Sequence, residues 1–320
     1  MAVRPGAQLI AFVRLGRPLF LAGGFLFHAL GVMMALYQGH SLNLTALILG
    51  QVVITSTQLM THYANDYFDL DSDRPNRNLT PWSGGSRVLP DGQLSPRVAL
   101  LAARALMGIA LAGMVAIAIV VHPPAGAIGL MLAGLALSWF YSAPPIRLVE
   151  RGLGELAGAL IVPALVTCCG LLLQGGRIGM RQALVIAPLI LLQFVMLLDV
   201  AFPDAESDAE TGKGTLVVRL GGESAALLHT LIVVAAMLAM LLGAVLIIVR
   251  SDLTLGVWLL GAWILTLPVG LWHGSRVASG AWCDPLQWGD VAFWGIALLV
   301  MMGGLDVVAF GLVTLHGGIG

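Results

Sequence analysis

Charge is scarce in this sequence. Only 10% of its 320 residues are Asp, Glu, Lys or Arg, and lysine occurs once, at Lys213. A soluble domain carries about 25% charged residues. With 58% of the chain apolar, there is too little polar side chain to cover a water-soluble body of this size. A bilayer is the natural solvent. The net charge of −1 leaves no bulk basic signal for nucleic acid. The three cysteines, Cys168, Cys169 and Cys283, have no metal-ligand spacing, and the adjacent pair reads as small buried residues in an apolar run. No linker divides the chain and no repeat period stands out, so one domain over 1–320 is expected. Arg4, Arg14 and Arg17 precede the first apolar stretch, but no small-residue cleavage site follows. The first helix is therefore expected to be retained rather than removed.

Long apolar runs are what the chain does have. A spanning helix needs about 20 mostly apolar residues. Nine segments approach that length: 18–37, 43–65, 98–121, 125–142, 154–174, 182–202, 224–249, 254–273 and 287–315. The last is long enough to tilt or to break near Gly303-Gly304. With the N-terminus inside, all but three of the 16 basic residues fall on the inner side, the exceptions being Arg177, Arg181 and Arg250. That is the bias expected of cytoplasmic loops. An odd number of spans puts the C-terminus outside. The inner stretches 66–97, 143–153 and 203–223 are long and hold most of the charge, whereas the outer links are short. Chemistry gathers on loops, so the working face is expected to be the cytoplasmic one.

Two acidic motifs lie on that face. The second span ends in N-D-Y-F-D-L-D-S-D, with Asn65, Asp69 and Asp73 at i, i+4 and i+8. On a helix these share one side, drifting by about 40° per step. The sixth span ends in F-P-D-A-E-S-D-A-E-T-G-K-G-T-L, with Asp204 and Asp208 again at i and i+4. Pro203 should end or kink the span just before them. Several carboxylates on one face repel one another, and a hard divalent cation resolves the conflict. All the candidate ligands are oxygens, which suits Mg²⁺, or Mn²⁺, rather than Zn²⁺. Two such clusters facing each other could hold a diphosphate between metal ions. Gly212 would let backbone approach closely, and Lys213 and Arg147 could cover the remaining phosphate charge. Asp66 and Asp71 lie off the main face and read as supporting residues, while Glu206 and Glu210 read as solvated.

At these residues the sequence resembles the UbiA superfamily of membrane prenyltransferases, which pairs N-x-x-x-D-x-x-x-D with a later D-x-x-x-D. G-G-S-R-V-L at 84–89 followed by L-S-P at 94–96, Y-S-A-P-P-I-R-L-V-E-R-G-L-G-E at 141–155, and G-K-G-T-L-V-V-R-L-G at 212–221 are similar to its menaquinone-type branch. The quoted motifs cover the three inner loops, roughly a fifth of the chain. The resemblance implies an all-helical fold of about nine spans around a central cavity, capped by the inner loops and open sideways to lipid. It implies transfer of a polyprenyl group from an allylic diphosphate to an aromatic acceptor, with 1,4-dihydroxy-2-naphthoate favoured by the G-G-S-R segment. Asn65, Asp69, Asp73, Asp204 and Asp208 would then hold the metal in the cell (inner) membrane, with the site toward the cytoplasm. No obligate protein partner is evident.

Other residues are candidates for the same site. Lys213, as the lone lysine, Arg147 in the P-P-I-R turn, Arg87 in the glycine-rich loop, Arg17 before Pro18, and Tyr141 are expected around the diphosphate. His62, one turn before Asn65, and Asp199, five residues before Asp204, depart from the residues expected in relatives and are candidates for the acceptor site. Asp306 in the last span is expected to pair with a polar neighbour. Within enzymes, the alternatives are a hydroxybenzoate, homogentisate, chlorophyll-type or lipid-alcohol acceptor. The alternative of another class is a cation-coupled transporter, which predicts acids near the bilayer midplane and two repeated halves. These acids instead cluster at one face.

Overall fold

The computed structural model of the chain describes residues 5–250 and 252–317. Arg4, counted above on the inner side, lies outside them. Among the described residues there is no strand. The principal helices are α1 (Pro5–Leu15), α2 (Ala22–Tyr37), α3 (Leu44–Phe68), α4 (Pro96–Val120) and α5 (Ala125–Phe140). They continue with α6 (Gly154–Leu173), α7 (Met180–Ala201), α8 (Gly222–Val249), α9 (Leu253–Ala278) and α10 (Trp288–Gly317).

Local chemistry sets the ends of several helices. Asn43 accepts a hydrogen bond from the Ala46 N–H at 3.0 Å, and Asp252 accepts one from the Leu255 N–H at 3.1 Å. These side chains satisfy donors that the first turns of α3 and α9 leave open. Pro203 acts as expected, since α7 stops at Ala201. Eight described helical segments are long and apolar enough to cross a membrane, counting α2 with the 3₁₀ turn Pro18–Leu21 that opens it. The predicted span 125–142 forms only the 16-residue α5. At about 1.5 Å per residue it is shorter than a hydrocarbon core of about 30 Å. Of the two options for the last span, tilt or a break near Gly303-Gly304, the break is absent, because α10 is continuous there. A Cβ on Gly303 would meet Leu26 of α2 at 3.1 Å, so this glycine serves close packing rather than a kink.

Outward faces are apolar. Ile109, Val115 and Ile119 on α4, Leu231, Leu238 and Leu242 on α8, and Ile264 and Leu265 on α9 are all exposed. Such a surface is stable against lipid, where helices satisfy their own backbone groups. Helix contacts inside use small residues, as lipid-embedded bundles do. A Cβ on Gly31 of α2 would lie 2.1 Å from the Thr167 carbonyl of α6, so those two helices meet backbone to backbone.

One buried cluster joins α2 and α6 to α10, including Phe27, Leu30, Leu189, Met240 and Phe310. A second joins α1, α3, α4 and α5 around Met60, Ala103 and Met131. Inside α6 the residues Leu160–Leu165 form a π-helical turn containing Pro163. Proline lacks the N–H that the ladder needs, and π turns mark such places. Ile161, Val162 and Leu165 of this turn face a cavity between the helices. The stretches 66–97 and 203–223 meet over one end of that cavity, where the Asn76 amide donates to Asp204 at 2.8 Å. The stretch 143–153 joins them through Arg219, which donates to the Glu150 carbonyl at 3.1 Å.

Candidate active site

The cavity has a volume of about 350 Å³ and two unlike ends. Val53, Ile54, Leu130, Met131, Val166 and Leu299 line an apolar part. Asn65, Asp69, Asp73, Asp204, Asp208 and Lys213 line a polar one, together with Arg17 and Tyr141. A few convergent polar groups in an apolar pocket are the usual form of a small-molecule site.

The first acidic motif is not one continuous helical row. α3 ends at Phe68, Asp69 caps it through its N–H to the Asn65 carbonyl at 2.8 Å, and Leu70–Asp73 is a separate turn. The three residues nonetheless reach the same cavity. The Asn65 amide donates to Asp69 at 2.7 Å and to the Ser142 hydroxyl at 2.9 Å. The second motif forms on the turn Ala205–Glu210, with Asp204 as its N-cap. Gly212 takes φ +77°, and the Lys213 N–H returns to the Asp208 carbonyl at 2.8 Å. That return aims the lysine inward. Its Nζ donates to Asp69 at 2.8 Å and lies 3.5 Å from Asp208, so one ammonium ties the two motifs together.

The glycine-rich loop closes over the acids. The Gly84 N–H donates to Asp204 at 3.2 Å. Gly85 takes φ +73°, and a Cβ there would lie 2.4 Å from the Asp73 carboxylate. Only glycine suits that backbone and that contact. Arg17 pairs with the buried Asp66, which also accepts from the Ser86 hydroxyl. Asp66 is thus a positioning residue for Arg17 and the loop.

Burial and crowding act on the carboxylates. Burial and the neighbouring Asp69 push Asp73 up to about 7, against the pull of Arg17. Burial pushes Asp208 up to about 6, opposed by Lys213 and reinforced by Asp204 and Asp69. Burial raises Asp204 as well, against the Gly84 N–H, Asn76 and Lys213. Burial pulls the Lys213 ammonium down, but Asp69 and Asp208 more than offset it and hold its pKa above the usual range. These acids are short of positive charge, and an all-oxygen donor set in that condition fits a hard divalent cation.

A pH dependence follows. A carboxyl raised on folding binds more protons in the native state, so stability falls as pH rises across the gap. For Asp73 the gap runs from 3.8 to about 7, and for Asp208 from 3.8 to about 6. Thermal unfolding in detergent with EDTA is expected to show a midpoint that declines over this range, and Mg²⁺ should flatten the decline. A midpoint rising with pH in EDTA would contradict this electrostatic picture.

Not every expected residue is in the cavity. His62, Arg17, Tyr141 and Lys213 line it. Arg147 does not; it has left-handed φ 49° and pairs with Glu150 at 2.8 Å across its own turn. Arg87 does not either, because its guanidinium is bound by the Asp73 carbonyl and lies near Asp91, fastening the cap loop. Asp199 is fully buried on the side of α7 away from the cavity, against His229 and His273. Helical phase explains this: Met196, Leu197, Val200, Ala201 and Asp204 take the cavity side. Asp306 was expected to pair, yet neither of its oxygens has a hydrogen-bond partner.

The cavity also holds polar residues that the motif reading missed. Glu155, at the start of α6, is buried in the wall with its Oε2 unpartnered. Gln58 and Gln193 line it as well. A carboxylate opening an apolar span, as in G-L-G-E, was the available signal for Glu155.

Comparison with known proteins gives concordant results. The model of the UbiA prenyltransferase family matches residues 25–288. The 1,4-dihydroxy-2-naphthoate octaprenyltransferase of Escherichia coli K12 is 28% identical over 233 residues, covering 71% of this chain and 73% of that enzyme. A structure of digeranylgeranylglyceryl phosphate synthase superposes with TM-score 0.66 at 17% identity, over 95% of this chain and 98% of its own. A UbiA homologue from Archaeoglobus fulgidus bound to GPP and Mg²⁺ gives TM-score 0.62 at 17% identity, over 93% and 99%. At these identities the two structures bear on the fold alone.

Proposed function

Because this chain belongs to the UbiA prenyltransferase family, we propose that it transfers a polyprenyl group from an allylic diphosphate to 1,4-dihydroxy-2-naphthoate within the membrane. One observation carries the reading: two acidic motifs and the sole lysine converge at the polar end of a cavity that is otherwise apolar. The naphthoate acceptor is supported by the similarity to the Escherichia coli octaprenyltransferase and by the G-G-S-R segment. The bound GPP and Mg²⁺ of the Archaeoglobus homologue support the diphosphate and the metal. The basic bias of the inner loops supports a cytoplasmic active site in the cell membrane.

In this reading Asn65, Asp69, Asp73, Asp204 and Asp208 would hold Mg²⁺. A bound divalent cation supplies Lewis-acid charge that stabilises the leaving diphosphate. Lys213 and Arg17 bring fixed positive charge to the same oxygens. The allylic C–O bond breaks, its electron pair leaves with the diphosphate, and the prenyl carbon becomes electron-poor. The acceptor ring attacks that carbon, and the ring then loses its carboxyl group as CO2, the electron pair of the broken C–C bond restoring aromaticity. Apolar walls from α3, α5 and α6 seat the prenyl chain and exclude water, which would otherwise quench the cation to an alcohol.

The test is product formation by purified protein in detergent, given geranylgeranyl or longer diphosphate, Mg²⁺ and dihydroxynaphthoate. A prenylated, decarboxylated naphthoquinol that disappears with EDTA is expected. Diphosphate release without that product would overturn the acceptor and retain the prenyltransferase. Absence of metal-dependent turnover with every allylic diphosphate and every acceptor would overturn both.

A further inference from the structure

Asp199, His229 and His273 come from α7, α8 and α9, and each is fully buried. Three ionisable side chains inside an apolar bundle are costly unless something gathers them. Their ligand atoms lie within 4.8 Å of one another. One carboxylate oxygen is 2.9 Å from His229 Nε2, and the other is 2.9 Å from His273 Nε2. The His273 contact is aligned as a hydrogen bond. The His229 contact is not: Asp199 Oδ1 and His229 Nε2 are close, yet neither has a hydrogen-bond partner. Atoms that crowd together without donor facing acceptor have the geometry of ligands sharing a centre.

The bundle makes room for this cluster. A Cβ on Gly295 of α10 would lie 2.0 Å from Asp199 Oδ2, so any larger residue there would displace the carboxylate. We propose that Asp199, His229 and His273 form a buried transition-metal site, separate from the Mg²⁺ site of the reaction. Two imidazoles and a carboxylate suit zinc or a neighbouring divalent ion, unlike the all-oxygen motifs, which suit magnesium. Each residue offers one ligand atom, so the set supplies three, and zinc would complete a tetrahedron with a fourth donor such as water. The site ties three helices together five residues before Asp204. It therefore fixes the inner end of α7, from which the second acidic motif projects.

Elemental analysis of full-length protein, purified with a histidine-free tag and exchanged into Mg²⁺ buffer, tests this. Stoichiometric zinc is expected in the wild type. It should be lost in Asp199→Asn and in His229→Gln with His273→Gln, and kept in Asp69→Asn with Asp208→Asn. Protein grown with cobalt in place of zinc should show visible d–d absorption of a tetrahedral site, absent in Asp199→Asn. Should the Asp199 and histidine variants fail to fold, wild-type metal content and the cobalt spectrum still decide. A metal-free wild type after growth in added zinc would overturn the proposal and leave a hydrogen-bonded triad. Loss of the metal from the Asp69 and Asp208 variant would also overturn it, by moving the ion to the reaction site.

Discussion

Asp208→Asn should lower prenyl transfer by about 10²–10³-fold or more, and Asp69→Asn should do the same. The scale is that of removing one group aimed at developing charge in a water-excluded site. Either change keeps the side chain's volume, so packing is not the cause. What is lost is a negative ligand from a set that already competes for cations, with Asp73 raised to about 7 and Asp208 to about 6 by burial and mutual repulsion. The variants should also need more Mg²⁺ for half-maximal activity. Asp71→Asn is the control: its side chain is almost wholly exposed and only approaches Arg74 at 3.8 Å. Steady-state rates of all three against Mg²⁺ concentration make the comparison. Full activity in Asp208→Asn would remove the second motif from the chemistry.

Lys213→Met should reduce kcat/KM for the prenyl diphosphate by about 10²-fold. Removing one partner of a buried ion pair costs about 3–5 kcal/mol, because the other charge stays behind unpaired. Here two charges stay behind, since the ammonium serves Asp69 at 2.8 Å and Asp208 at 3.5 Å. Methionine preserves the apolar stem, which isolates the charge. Lys213→Arg should recover only part of the loss, because a planar fork does not replace a compact ammonium. A variant whose KM for diphosphate is unchanged would show that Lys213 only joins the two motifs. Kinetics at saturating Mg²⁺ separates these outcomes, since extra metal can compensate repulsion but cannot supply the missing contact.

Much of the site was legible because its residues are improbable where they stand. Carboxylates spaced by four at the ends of apolar runs have few uses, and a lone lysine among 16 basic residues is conspicuous. Asp69, Asp208 and Lys213 were accordingly singled out by type and position, and all three line the cavity. The arginines were harder. Arg87 and Arg147 sit in loops whose course hydropathy does not describe, and each has a positive φ that turns its side chain to a local partner. Asp199 lies outside the cavity lining for a different reason. Its depth could be counted along α7, but which face of α7 turns to the cavity is set by how the helix is rotated against its neighbours, and that rotation belongs to the packing of the bundle.

Composition and periodicity alone determined a helical membrane protein with its chemistry at one end, because apolar runs and charge-bearing loops are local properties of the chain. The tertiary structure decided which groups meet. It placed Asp69 and Asp208, 139 positions apart in the chain, on either side of Lys213. It also gathered Asp199 with His229 and His273, and set Glu155 in the cavity wall. Those meetings depend on helix rotation and close backbone approach, at Gly31 or Gly295 for instance. Packing of the whole bundle fixes both, and no window of sequence contains them.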